Sequence, residues 1–171
     1  MKKLKEYDKA ASQFYAKKNF KKSPLLSWDI YSLYLDKLTH LSKDVIHLNK
    51  IAQSWRETWN FKNEIQDKGK VIILTDASQK IVYTTSNMKT LNGYSMDQVV
   101  GHSPKIFQGD LTCQTTSAYI RKAIEKQEPF EAKVLKYKKD GTIYFCTING
   151  YPVHNKKGKL INFIAFERIA S

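Results

Sequence analysis

Residues 91–109 constrain the fold of this chain most, because they combine helix, glycine and turn signals between strand-like runs. The sequence there is LNGYSMDQVVGHSPKIFQG. It predicts two short helices separated by Gly93, and Ser95 followed three residues later by Gln98 is the pattern of a capping box. A polar turn with a proline comes next and closes on a Gln-Gly pair. We expect this stretch to form one wall of a small pocket.

Strand-like runs lie on both sides of this stretch. VIILTD and KIVYTTS precede it, and FEAKVLKYKKDG, TIYFCTINGYPV and GKLINFIAFERI follow it, separated by turn residues. A helix is predicted over 115–127, and Pro129 stops it. This order of elements predicts an α+β fold, a five-stranded antiparallel sheet with small helices on one face.

A long amphipathic segment, residues 23–69, precedes the strands, and its helix is predicted from about 25 to 66 because no glycine occurs before Gly69. A helix of about 40 residues would extend roughly 60 Å, too far for one small domain to cover. The sequence therefore predicts a homodimer through this helix. The alternative is that the apolar stripe only covers the following domain. The stripe steps by three and four residues, as in a heptad seam: Tyr31, Tyr34, Leu38, Leu41, Val45, Leu48, Ala52, Trp55 and Trp59.

The formal net charge is +13, and residues 1–22 hold eight lysines against two acidic residues. This basic leader is predicted to be partly helical. A lysine-rich tail can bind nucleic acid, so a nucleic-acid-associated regulator is the alternative to a solvated leader. No apolar run reaches the roughly 20 residues of a membrane span, and the N-terminus lacks the apolar region of a signal peptide. We expect no membrane association and a cytoplasmic location.

Taken in order, these motifs resemble a PAS domain, and within that family the LOV-like branch. The resemblance implies a sensory domain over residues 70–171, with a pocket between the inner face of the sheet and the small helices. Such domains pass a signal to a protein partner. We expect a sensor or interaction module without an output domain in the chain. The resemblance to the PAS family rests on seven segments: TD at 75–76, LNGYS at 91–95, VVG at 99–101, FQG at 107–109, IRKAI at 120–124, YKKDG at 137–141 and FIAFE at 163–167.

The resemblance also shows where this chain departs from light-sensing relatives. Those relatives carry an N-x-C-R-F-L-Q-G turn whose cysteine forms an adduct with a flavin, whereas Pro104 stands at that position here. Lys136 and Cys146 stand where asparagines would hold the flavin ring, and Glu167 where a glutamine would. These departures would leave the polar edge of the flavin unpaired, at about 1–3 kcal/mol per buried group. The sequence therefore argues against FMN.

Haem is disfavoured as well, because the helix over 115–127 has no histidine to supply an axial ligand. No catalytic signature such as a phosphate loop or nucleophile elbow occurs, so no enzymatic activity is predicted. The two cysteines are isolated and indicate neither a zinc site nor a disulfide framework. The predicted cofactor is none, with an unidentified small ligand as the open alternative.

Lys136 and Glu167 are predicted to face each other across the sheet and to orient a small polar ligand. The alternative is a pocket filled by aromatic side chains, with Lys136 reaching solvent at the sheet edge. The residues predicted to line the pocket are Leu74, Tyr83, Met88, Ile106, Phe107, Gln108, Tyr119, Lys136, Cys146, Ile148, Phe166 and Glu167.

Overall fold

The structure, a computed structural model, describes residues 25–170, and five strands between residues 71 and 169 form one antiparallel sheet. The spatial order is β2-β1-β5-β4-β3. This architecture confirms the fold that was predicted from the sequence. The strands are β1 Val71–Asp76, β2 Ile81–Thr84, β3 Phe130–Tyr137, β4 Ile143–His154 and β5 Leu160–Ile169.

Short helices connect β2 to β3, and their ends follow the predicted local signals. Ser95 and Gln98 form the capping box. Gly93 ends the preceding helix with a left-handed backbone, φ 82°, which glycine adopts without steric cost. Pro104 occupies the first turn of a 3-10 segment, where its missing N–H has no partner to lose. The elements are α2 Met88–Asn92, α3 Met96–Val99, the 3-10 turn Pro104–Phe107 and α4 Gln114–Glu125.

Side chains alternate between the two faces along β1, β3, β4 and β5. Both faces are covered over β1, β5 and the second half of β4, whereas the outer side of β3 is exposed at Glu131 and Lys133. We call the face that packs on the small helices the inner face, and the opposite one the outer face. The inner face carries two clusters. In one, Val71, Ile73 and Ile81 pack with Met88, Val99 and Phe107. The other contains Val134, Cys146 and Ile148. The outer face includes Ile72, Leu74, Tyr83, Val153, Ile164 and Phe166.

The N-terminal helix, α1 Leu25–Ile51, is 27 residues long and ends well before the predicted residue 66. A 3-10 turn, Ala52–Ser54, follows it, and Trp55 then adopts an extended backbone and bridges to Asn155 at the end of β4. Trp55 is buried on the outer face with Phe61. A continued helix would carry these aromatic side chains away from the sheet, so their burial overrides the helical pattern.

The C-terminal part of the predicted heptad seam contacts the chain's own sheet. Leu48 is fully buried in the outer-face cluster, and Leu41 and Val45 pack against it. This half of the stripe therefore covers the following domain, which was the alternative to dimerisation. In the other half, Ile30 and Leu33 are exposed. The predicted basic leader, residues 1–22, lies outside the described residues. No helix within residues 25–170 has the length and apolar character needed to cross a bilayer.

Leu48→Ala tests the docking of α1. We expect a loss of about 2–5 kcal/mol in the free energy of unfolding, because a fully buried leucine leaves a cavity. The matched control is Ile46→Ala on the exposed side of the same helix, where the change should stay within about 0.5 kcal/mol. Urea unfolding monitored by circular dichroism measures both. Equal effects of the two substitutions would contradict the docked arrangement.

Candidate ligand-binding site

A cavity of about 540 Å³ lies on the inner face of the sheet, bounded by α4 and by the 3-10 turn. Small residues on two paired strands, Gly150 of β4 and Ala165 of β5, form part of its floor. A Cβ atom at Gly150 would overlap the ring of Phe130, so this position requires glycine. The volume lies within the usual range of small-molecule sites.

Lys136 and Glu167 form a buried ion pair in the floor of this cavity. Lys136 Nζ lies 2.6 Å from Glu167 Oε1, and the residues are 3 % and 2 % exposed. Lys136 therefore does not reach solvent, in contrast to one alternative drawn from the sequence. Its ammonium group also lies 5.2 Å from the centre of the Phe107 ring, within the range of a cation–π contact.

This ion pair keeps unused hydrogen-bonding capacity. Lys136 has three N–H donors, and its recorded hydrogen bond goes to one oxygen of Glu167. The other oxygen, Oε2, accepts a weak bond from the Cys146 thiol at 3.6 Å. Desolvating two charges costs several kcal/mol per ion, and charged groups buried in a cleft are candidates for function. The pair can offer a donor and an acceptor to a ligand.

Further polar groups surround the cavity. Lys105 from the 3-10 turn and Arg121 from α4 bring two positive charges to it, and Glu125 brings a negative one. Thr75 Oγ1 is buried without a hydrogen-bond partner among the described residues, and Thr75 lines the cavity. An unpaired buried hydroxyl costs about 1–3 kcal/mol, so a bound polar group would satisfy it.

The two cysteines are in opposite electrostatic environments. Burial raises the pKa of Cys146 to about 12, with the nearby Glu167 carboxylate adding to the rise. Cys113 is exposed at the N-terminal end of α4, and hydrogen bonds from Thr115 and Thr116 to its thiolate lower its pKa to about 6. Cys146 is thus a protonated thiol at neutral pH, whereas Cys113 is largely a thiolate.

Four of the predicted site residues line the cavity: Gln108, Lys136, Ile148 and Glu167. Four others lie on or against the inner face without lining it. Met88, Phe107 and Cys146 are buried in its apolar clusters, and Ile106 packs against one of these. Tyr119 on α4 is about half exposed. The structure therefore places the two charged residues and Gln108 around one cavity and leaves Tyr119 at the surface.

Three predicted site residues, Leu74, Tyr83 and Phe166, lie instead on the outer face of the sheet. For Leu74 and Phe166 the reason is strand alternation. Tyr83 follows an irregularity in the β1–β2 pairing, which places Ile81 on the inner face and Tyr83, paired with Leu74, on the outer face. Leu74 stands between Ile73 and Thr75, which line the cavity, so its side chain must point the other way. Phe166 is the neighbour of Glu167, so its side chain points to the opposite face of the sheet.

Sequence reasoning missed one face of α4 that lines the cavity. Gln114, Ser117 and Arg121 are three and four residues apart and all contribute to it. Residues at this spacing share a helix face, so the pattern of polar residues could have identified this wall. Thr75 and Gly150 could have been found by applying strict alternation from Ile73 and Ile148.

Comparison with known sequences settles the family. The profile described as PAS domain matches residues 69–168. The chain belongs to the PAS domain family. This result confirms the resemblance drawn from the motifs.

LOV proteins are among the similar PAS proteins. Phototropin-2 of Oryza sativa subsp. japonica is 28% identical over 115 residues, which are 66% of this chain and 13% of that protein. Protein TWIN LOV 1 of Arabidopsis thaliana is 29% identical over 118 residues, 67% and 30% of the two lengths. The blue-light-activated histidine kinase of Brucella ovis is 31% identical over 85 residues, 50% and 17%. The chain spans less than a third of the length of each of these relatives.

Solved LOV domains share the fold. The dark structure of the blue-light photoreceptor Aureochrome1 LOV superposes with a TM-score of 0.61 at 28% identity, covering 67% of this chain and 86% of that one. Its light-state structure gives 0.57 at 31% identity, covering 58% and 80%. A LOV-domain structure concerned with a flavin analogue gives 0.61 at 23% identity, covering 66% and 86%, which shows the fold alone.

These comparisons contradict the predictions that the chain takes no cofactor and that FMN is disfavoured, because the similar proteins include LOV proteins and blue-light receptors. The prediction assumed that the loss of amide side chains leaves a flavin's polar edge without partners. Lys136 and Glu167 remove that objection, since they still present a donor and an acceptor at the cavity floor.

The contrast between the two cysteines can be measured directly. At pH 7.5 a thiol reagent such as iodoacetamide should alkylate Cys113 rapidly and leave Cys146 unmodified until the protein is unfolded. The Cys113 rate should rise with a midpoint near pH 6 and level off above it, because the pKa is about 6. Peptide mass spectrometry measures the extent of alkylation at each cysteine. Rapid alkylation in a Cys113→Ser variant would contradict the burial of Cys146.

Proposed function

We propose that this chain is a ligand-binding sensor module of a signal-transduction system and that its ligand is a flavin nucleotide. The observation that carries the proposal is the inner-face cavity of about 540 Å³ with a charged donor–acceptor pair in its floor. The likeness to LOV proteins supports the choice of ligand. We place the module in the cytoplasm and assign it no enzymatic activity of its own.

The donor set of the cavity suits a flavin nucleotide. The pyrimidine part of a flavin has carbonyl oxygens that accept and an N–H that donates, so Lys136 and Glu167 would hold this edge. Lys105 and Arg121 supply positive charge for a phosphate group. Thr75 adds a hydroxyl group whose hydrogen-bonding capacity is unused. When bound, a flavin would supply blue-light absorption and redox chemistry.

The chain's own residues argue against a covalent cysteine adduct. Pro104 lines the cavity and has no thiol. Of the two cysteines, Cys113 is exposed, and the raised pKa of Cys146 keeps its thiol protonated. We therefore infer that a signal arises from noncovalent changes around the ligand. We expect the Lys136–Glu167 pair to carry them, because any ligand that bonds to either residue competes with their bond to each other.

Strand β5 offers a route from the cavity to the outer face. Glu167 lies in the cavity floor, and its neighbour Phe166 points to the other side of the sheet. The Phe166 ring is 6.4 Å from the ring of Trp59 and 6.0 Å from that of Tyr151. A shift of the strand at Glu167 would therefore displace the aromatic packing of the segment that follows α1. Such a change is a population shift between two arrangements.

We also propose that the protein forms a homodimer through α1 and that this dimer signals to a protein partner. Ile30 and Leu33, one turn apart in α1, are 66% and 70% exposed. A helix that exposes apolar residues in this way is usually covered by another chain. We expect the first half of α1 to supply the contact, since Leu41, Val45 and Leu48 already pack on the sheet.

Flavin binding can be tested with a variant that removes both charges. FMN fluorescence should be quenched by the wild-type protein, and Lys136→Met combined with Glu167→Met should weaken binding by about tenfold or more, since both ligand partners are lost. The double substitution avoids the unpaired buried charge that either single change would leave. The control is Lys133→Met, an exposed lysine on the same strand. An unchanged affinity in the double variant would contradict the role of the pair.

The dimer is tested by size-exclusion chromatography with light scattering, in reducing buffer. The wild-type protein should have the mass of two chains, and Ile30→Glu combined with Leu33→Glu should have the mass of one. Charged side chains in an apolar interface cost several kcal/mol when unpaired. The control places glutamates at the exposed polar positions Asn49 and Lys50 of the same helix. A monomeric wild-type protein at high concentration would refute the dimer.

A further inference from the structure

The middle of the cavity floor is a row of four residues on neighbouring strands, with two small residues between two large ones. Ile73 pairs with Ala165, and Ala165 pairs with Gly150. Gly150 pairs in turn with Phe130 at the start of β3. All four residues line the cavity. Because alanine has only a methyl group and glycine has no side chain, the floor has a hollow in the middle of this row.

The ring of Phe130 occupies this hollow. A Cβ atom at Gly150 would overlap three atoms of the ring, so the ring lies directly against the backbone of that glycine. Glycine in a strand often marks a place where another group approaches the backbone closely. Phe130 is nevertheless only partly buried. Since this residue lines the cavity, part of its ring is accessible to a ligand.

Polar groups lie on both sides of this apolar row. On one side Glu167, two residues beyond Ala165 on β5, is paired with Lys136. On the other side Thr75, two residues beyond Ile73 on β1, has a buried hydroxyl group without a hydrogen-bond partner among the described residues. Residues two apart on a strand are separated by about 6.6 Å, so about 13 Å of floor separates the two polar ends. A ligand that is polar at both ends and apolar between them fits this order.

Phe130 is the accessible aromatic side chain of this cavity. Among the described residues, two aromatic side chains line it, Phe130 and Phe163, and Phe163 is buried. Ile120 and Ile124, one turn apart on α4, add aliphatic surface. Aromatic rings pack on one another in offset or edge-to-face arrangements that contribute about 0.5–1.5 kcal/mol beyond the area they bury. An aromatic ligand ring would therefore gain most from contact with Phe130.

We propose that Phe130 is a specificity-determining residue of the cavity, which selects a flat ring system and limits its size at the apolar edge. The inference rests on the proposed function, in which Lys136 and Glu167 hold the pyrimidine edge of a flavin. The opposite, benzenoid edge would then lie towards the apolar row, where the Phe130 ring fills the hollow above Gly150. A smaller side chain at this position opens the hollow to ligands with a bulkier apolar edge.

Paired binding measurements on the full-length protein test this inference. The probes are FMN and its 8-dimethylamino analogue, whose additional bulk lies on the benzenoid edge. Phe130→Ala should shift the ratio of the two dissociation constants by about tenfold or more in favour of the analogue, because a single methylene in an apolar pocket changes selectivity by roughly 10–200-fold. Equilibrium dialysis with absorbance detection measures both constants. The control is Phe145→Ala, a half-exposed phenylalanine of β4 outside the cavity lining, which should leave the ratio unchanged.

The position of the ring can be tested without a ligand. Gly150→Ala should lower the thermal unfolding midpoint of the wild-type protein, because the new Cβ displaces the Phe130 ring. The same substitution should lower it less in the Phe130→Ala background, where the space is free. An equal decrease in both backgrounds would overturn the inference.

The outcomes separate this inference from the proposed function. If the wild type binds FMN and Phe130→Ala leaves the ratio unchanged, the inference is overturned and the flavin proposal stands. If the wild type does not bind FMN, the flavin proposal is overturned and the inference falls with it. Should Phe130→Ala fail to fold, Phe130→Leu replaces it, and the same shift towards the analogue is expected because the flat ring is lost.

Discussion

Side-chain alternation along β1 and β5, which are covered on both faces, is the constraint on which the rest of this structure depends. In β1, Ile73 lines the cavity between Ile72 and Leu74 of the outer-face cluster, and in β5 Glu167 follows Phe166 of that cluster. The cavity and the outer layer are therefore joined by the strands themselves, without any side chain that reaches from one to the other.

The buried Lys136–Glu167 pair places two opposite charges in the floor of the cavity. Neutral amides would hold a polar ligand edge without a large desolvation penalty, whereas two charges are tolerable in the apolar floor only while they remain paired with each other or with a ligand. The empty and the occupied cavity then differ in how these charges are satisfied. In the proposed sensor, the pairing of these two charges would therefore depend on whether the cavity is occupied.

The sheet and its order of elements could be predicted from the sequence because their signals are local: turn residues, a capping box at Ser95 and runs of alternating residues. The expectation that Lys136 and Glu167 face each other came from the resemblance to the PAS family. The predictions that were wrong concern places where contacts between distant parts of the chain override the local pattern. The heptad pattern of apolar residues continues past Ile51 and predicts a longer helix than the structure has. No local signal shows that Trp55 is buried against the sheet. In the sequence, Asp44 cannot be told from the other polar residues of the helix. The groups that donate hydrogen bonds to its carboxylate, Tyr83 and Ser86, are about 40 residues away.

The exposed thiolate of Cys113 affects how this protein behaves outside a reducing environment. With a pKa of about 6, it is reactive at neutral pH and can be oxidised to a sulfenic acid, or joined by a disulfide to the same residue of a second chain. Covalent pairs formed in this way would have the mass of a dimer but none of its helix contacts. Because Cys113 caps the start of α4, such a disulfide would form at that end of the helix and would be separate from the proposed contact through α1.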